Sequence, residues 1–139
     1  MRITRELYDE MVAHARAEAP NECCGMIASR DGVAVAVHRA RNAAASPLRY
    51  IIDPREQYEI TQEIEDAGLD LGVIYHSHTR SDPVPSQTDI NLAKLGGTDL
   101  PAFPGTLYLI VGVKSEDDDL RTWSIVGDDV TQVELQVEG

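Results

Sequence analysis

The sequence predicts an α/β fold, a mixed β-sheet flanked by helices. Three observations carry this. Short apolar runs of strand length, among them CGMIAS (24–29), VAVAVH (33–38) and TLYLIVGV (106–113), are interspersed with polar segments of helix length. Two of these runs flank Asp31-Gly32, a hairpin signal that makes part of the sheet antiparallel. The chain is 139 residues long, which suits one domain, residues 1–139, with one core.

The first helix is predicted over about Thr4 to Ala19. Leu7, Met11 and Ala15 share a face at four-residue spacing, Thr4 can cap the start and Pro20 marks the end. The Asp-Gly hairpin follows. Residues 43–48 read as a loop and Tyr50 to Ile52 as a short strand. Asp53-Pro54-Arg55-Glu56 then opens a second helix: Asp53 can cap, Pro54 is tolerated at the first helical position and Glu56 can reach back. It should end near Ala67, before Gly68.

Leu71 to His76 is an apolar strand leading into two histidines. Pro83 and Pro85 keep the next segment non-helical. Ser86 opens a third helix that should run to about Leu95 and stop at Gly96-Gly97. A Gly/Pro loop to Gly105 follows. TLYLIVGV and LRTWSIV read as two strands joined by an acidic turn, and the tail VTQVELQV alternates like a final strand.

Composition excludes several functions. Hydrophobic residues make up 42% of the chain and charged residues 26%, as in an ordinary soluble domain. The formal net charge is −12 and no basic stripe offsets it, so nucleic acid would be repelled. The run Glu116 to Asp119 reads as a solvated turn. No apolar stretch is long enough to span a membrane, and MRITRELYDE lacks the apolar core of a signal peptide. A cytoplasmic location without membrane partners is therefore expected. Cys23 and Cys24 are adjacent, and neighbouring cysteines bridge only with strain, so no disulfide framework is expected. Cys24 reads as a small apolar residue, and a thiol close to a metal is the functional alternative for Cys23. His14 and His38 read as structural or exposed, and Trp123 as core.

The segment YHSHTRSDPVPSQTD (75–89) carries the chemistry. On an extended chain, residues i and i+2 point to one side, so His76 and His78 share a direction and Ser77 faces away. On a helix, i and i+3 share a face, so Ser86 and Asp89 belong together in the first turn. The seven residues between His78 and Ser86 allow the helix to fold back over the strand end. Two imidazoles and one carboxylate leave one tetrahedral position open, which is the ligand count of a catalytic zinc. No C-x-x-C pair supports a structural zinc. Each residue also has a plainer reading. A lone histidine is more often core or surface, S-x-x-D is a capping box, and one carboxylate serves both backbone and metal only with difficulty. The full pattern H-x-H-x7-S-x2-D is expected by chance in roughly one shuffled chain in two thousand, so as a whole it is specific.

That pattern resembles the signature of the JAMM (MPN+) metallopeptidase family: a distant glutamate, then H-x-H, seven residues, serine, two residues, aspartate. The distant glutamate stands just after the first helix and before an apolar strand, as Glu22 does in PNECCGMI. YIIDPRE (50–56) is similar to the family's strand-to-helix connection. The resemblance implies the family's cytidine-deaminase-like architecture. It implies one catalytic Zn²⁺ held by His76, His78 and Asp89, with Glu22 as general acid–base and Ser86 as oxyanion donor. It further implies hydrolysis of a peptide or isopeptide bond at the C-terminus of a ubiquitin-like or sulfur-carrier protein, whose Gly-rich tail is the expected partner. A homodimer is left open. YHSHT followed by PS-x-TD looks most like the actinobacterial peptidases that free cysteine from a sulfur carrier. Many members have proline after the second histidine, where this chain has Thr79, which bears on substrate choice more than on metal binding.

Two other hydrolases are excluded. An amidohydrolase barrel needs about 250 residues, and a zinc deaminase needs H-x-E and P-C-x-x-C. The remaining alternative is a non-catalytic MPN-type interaction module. Against it, all five expected positions are filled.

Overall fold

Thr4 starts the first helix as expected: in the computed structural model, which describes residues 1–139, its hydroxyl accepts the Leu7 N–H at 3.3 Å. A three-residue strand not foreseen in the sequence, β1 (Arg2–Thr4), precedes the helix α1 (Arg5–Glu18). The hairpin forms from β2 (Cys24–Arg30) and β3 (Val33–Ala40). Asp31 and Gly32 both take positive φ, 52° and 78°, as a two-residue turn of this type requires.

Residues 43–48 form a loop, but Tyr50 to Ile52 is not a strand: only a single bridge, Asn42 to Ile52, forms there. Asp53 caps α2 (Pro54–Asp66) through the N–H groups of Arg55 and Glu56. Glu56 does not reach back to Asp53. It accepts the Arg41 N–H at 3.2 Å, because the Asp53 N–H already donates to the Arg41 carbonyl. The apolar run at 71–76 extends into β4 (Asp70–His78), followed by α3 (Gln87–Leu92), which ends three residues earlier than expected. There the Leu95 N–H bonds the Leu100 carbonyl and Lys94 bridges to Pro101, which turns the chain into the Gly/Pro loop.

β5 (Leu107–Gly112) and β6 (Asp119–Val126) pair across the acidic turn. The alternating tail divides into β7 (Asp129–Val133) and β8 (Gln136–Glu138). The sheet order is β7-β6-β5-β4-β2-β3-β1-β8. β4–β5, β1–β3 and β1–β8 are parallel and the other pairs antiparallel, so the sheet is mixed. β7 and β8 lie at opposite edges, yet three Cα steps join Val133 to Gln136, a span of at most about 11 Å. The sheet must therefore curl until its edges nearly meet. Gln136 N–H bonding the Met1 carbonyl and the Met1 amino group bonding the Glu134 carbonyl close the seam.

Strand alternation sorts the core into two layers. One holds Cys24, Met26, Ile74, Tyr108, Ile110 and Trp123 with Ile60 and Ile64 of α2. The other holds Ile3, Cys23, Ile27, Val73, Tyr75, Leu109 and Val111 with Met11 and Ala15 of α1. Full burial of each large aliphatic side chain contributes about 1.5–3 kcal/mol. The Tyr75 ring lies over Gly25, where a Cβ would come within 2.3 Å of it. Its hydroxyl meets His14 Nδ1 at 2.7 Å, so His14 is a buried core histidine. No helix is long and apolar enough to cross a membrane.

Candidate metal centre

The alternation that places Ile74 in the α2-side layer carries His76 and His78 onto the same face at the end of β4. Ser77 faces away. Its hydroxyl accepts the Cys23 N–H at 2.8 Å, and its own N–H donates to the Cys23 carbonyl at 3.2 Å. β2 pairs with β4 so that Cys24 stands opposite His76. Glu22 lies two residues before the first pair of this ladder, close enough to His78 and Asp89 for both charges to act on it. Thr79 Oγ1 adds a bond to the Pro20 carbonyl at 2.9 Å. The turn that carries Glu22 is thus stitched to the histidine strand on both sides.

The helix end approaches from the other direction. Ser86 Oγ accepts the Asp89 N–H at 3.1 Å and Asp89 Oδ2 accepts the Ser86 N–H at 3.0 Å, so the capping box is complete. The same Oδ2 lies 3.1 Å from His76 Nε2 and 3.0 Å from His78 Nε2. The two roles expected to compete for Asp89 are therefore compatible: one carboxylate oxygen takes the backbone donor and still faces both imidazoles. The proline segment is anchored by Trp123, whose indole N–H donates to the Pro83 carbonyl at 3.0 Å.

The two Nε2 atoms are 3.3 Å apart, and His76, His78 and Asp89 are all buried. Donors about 2.0–2.2 Å from a tetrahedral zinc stand roughly 3.3–3.5 Å from one another. The triangle of donors here is slightly tighter, and it fits a small divalent cation. His78 Nδ1 lies 2.8 Å from the Asp82 carbonyl. As its donor, Nδ1–H leaves the Nε2 lone pair pointing at the triangle. The His76 ring stacks on Tyr50, with centroids 4.3 Å apart and planes at 21°, and its Nδ1 is buried without a hydrogen-bond partner.

Burial opposes ionisation of Asp89, but hydrogen bonds with His76 and His78 outweigh it and hold the carboxyl far below the usual range. Burial lowers the pKa of His76. Burial opposes the charge on His78 too, but its bonds to Asp89 and the Asp82 carbonyl raise its pKa. Glu22 is 4% exposed, and its Oε1 has no partner. Burial, with the Asp89 charge adding and His78 opposing, pushes its carboxyl up to about 8. Glu22 stands outside the set of three close donors.

The structure thus brings together His76, His78 and Asp89, with Ser86 in the same capping box and Glu22 beside them. Cys23 and Cys24 are free, buried in opposite core layers, and burial pushes both thiols up to about 12. Neither sulfur joins the donor cluster, and the reading of Cys24 as apolar packing holds.

Two residues were not picked out from the sequence. Asn42 makes four hydrogen bonds of 3.0–3.1 Å: Nδ2 to the Glu22 and Arg49 carbonyls, Oδ1 from the Ala44 and Ile51 N–H groups. Its bond to the N–H two residues on is an Asx turn, which asparagine before small loop residues can signal. Tyr50, stacked on His76, had no local signal.

Residues 4–126 match the family described as prokaryotic homologs of the JAB domain. The chain belongs to this JAB (JAMM/MPN) family. It is 35% identical over 138 residues to the CysO-cysteine peptidase of Mycobacterium tuberculosis, covering 97% of this chain and 89% of that protein. It is 36% identical over 143 residues to a desampylase of Haloferax volcanii, covering 98% and 95%. A solution structure of a Desulfitobacterium hafniense protein superposes with a TM-score of 0.83 at 27% identity, over 99% of this chain and 92% of that one. The JAB family resemblance read from H-x-H-x7-S-x2-D is therefore correct, and so is the mixed sheet with flanking helices. Identity does not choose between the two kinds of peptidase relative.

Proposed function

We propose that the protein is a zinc-dependent peptidase or isopeptidase that hydrolyses an amide bond at the C-terminus of a ubiquitin-like or sulfur-carrier protein. The observation that carries this reading is the convergence of His76 Nε2, His78 Nε2 and Asp89 Oδ2 beside a buried, unpaired Glu22 carboxyl. The names of the peptidase relatives support the substrate class. An extended Gly-rich tail would suit a narrow approach to so buried a centre and could pair with a sheet edge.

His76, His78 and Asp89 would hold the ion. Zinc in such a site supplies Lewis acidity, enough to bring the pKa of water to about 7. Glu22 would take the proton of the attacking water at its carboxylate and return it to the departing amine. A buried carboxyl outside the donor triangle, with an oxygen free of hydrogen-bond partners, suits that task. Ser86 Oγ is already an acceptor for the Asp89 N–H, so its proton is free to be donated to the oxyanion that develops on the carbonyl.

Glu22→Gln tests the reading. The variant should keep stoichiometric zinc and lose cleavage of a carrier protein bearing a C-terminal extension, followed by product mass. Normal cleavage by this variant would remove Glu22 from the reaction, and a zinc-free wild-type protein would remove the metal.

A further inference from the structure

A cavity of about 520 Å³ opens beside Glu22, with His14, Arg39, Arg41, Asn42 and Glu56 in its wall. It reaches Glu22 but none of His76, His78 and Asp89. We propose that this cavity receives the leaving group, and that it takes a single small α-amino acid by its free carboxylate, anchored by Arg41 with Arg39 as a second cation. This rests on the peptidase reading above. If Glu22 returns a proton to the departing nitrogen, whatever follows that nitrogen must lie beside Glu22.

Two arginines in the wall of one cavity stand out in a chain of net charge −12. Arg41 meets Asp53 through Nη2, and its Nε is 3.8 Å from Glu56. Arg39 uses Nε on Glu10 at 3.2 Å. A guanidinium carries five donors in a planar fork, so each keeps unbonded N–H groups that match a carboxylate. The acidic members of the wall, Glu18, Glu22 and Glu56, complement the amine end. Mixed charge of this kind matches an amino acid carrying both groups. A lysine of a folded protein offers the amine without a carboxylate next to it, so the cavity favours a carrier–amino acid adduct over an isopeptide.

The reaction balances without a further reagent. The bond between the carrier's terminal carbonyl and the amino acid nitrogen breaks. Water gives its oxygen to the carbonyl carbon and both of its protons to the nitrogen, which leaves as an ammonium. A carrier carboxylate and a free amino acid leave.

The test compares two peptides ending in Gly-Gly-Ala, one as the free acid and one as the C-terminal amide, with the zinc-loaded protein. Alanine avoids a thiol that would itself bind metal. Wild type should cleave the acid at least about tenfold better in kcat/KM, and Arg41→Gln should bring the ratio towards one, with Arg39→Gln having a smaller effect in the same direction. Equal rates for acid and amide in the wild type, a result that needs no variant to fold, overturn the proposal. If neither peptide is cleaved, the peptidase reading fails, and an NMR titration of the wild type with L-alanine and L-alaninamide then decides for the cavity. Shifts at residues 39–42 with alanine alone support it, and their absence overturns it.

Discussion

Asp89 Oδ2 accepts the Ser86 N–H at 3.0 Å while standing 3.0 Å from His78 Nε2. A capping carboxylate thereby forms one corner of the His76–His78–Asp89 donor triangle, so helix geometry and donor geometry become the same constraint.

Asp89→Ala should therefore lose on two counts. Metal analysis should show loss of stoichiometric zinc and of hydrolysis, and the first turn of α3 should loosen by about 1 kcal/mol from the lost cap. Retained zinc would remove Asp89 from the ligand set.

Ser86→Ala separates the two functions. It removes a cap worth about 1 kcal/mol and should keep bound zinc, since the Ser86 backbone N–H still orients Asp89. Its kcat should fall by about 100-fold, the usual cost of one oxyanion donor. Thermal melts, zinc content and steady-state rates read the three effects independently.

Asn42→Ala removes four hydrogen bonds, one tying the loop to the Glu22 carbonyl and three within residues 42–51. Backbone groups left unpaired there should cost about 1–3 kcal/mol. Hydrogen exchange should accelerate at Ala44 and Ile51, and activity should fall because the same loop carries Tyr50 against His76. Unchanged exchange at both amides would mean the loop is held by something else.

His14 gives the fold a pH dependence away from the His76–His78–Asp89 cluster. Burial, aided by the Arg39 charge, lowers its pKa below the ordinary value of 6.5. The unfolded chain then binds the proton more readily than the folded one, so this contribution is present in full above about pH 6.5 and is lost as pH falls through the folded pKa. The Tm advantage of wild type over His14→Leu should shrink between pH 7.5 and pH 5.5. A constant difference would contradict the assignment of His14 as a buried neutral base partnered by the Tyr75 hydroxyl.

Much of this molecule is legible in short windows of sequence. Thr4, Asp53 and Ser86 cap the three helices because each side-chain oxygen sits two or three residues before the N–H groups it satisfies. Asp31-Gly32 turns β2 into β3 for reasons internal to two residues. Where windows failed, distant partners had intervened. Glu56 turned to Arg41 rather than to Asp53. The tail that reads as one strand split because β7 found β6 and β8 found β1 across the seam.

The candidate site divides in the same way. That His76 and His78 point together, and that Ser86 pairs with Asp89, follows from periods of two and of three to four residues, which any local stretch of chain must obey. That Asp89 meets the imidazoles, that Glu22 is buried beside them, and that Asn42 and Tyr50 brace them depends on the β2–β4 register and on the path of the loops. Those contacts join residues far apart along the chain, so their geometry is set by how the curled sheet packs against its helices rather than by any neighbouring side chain.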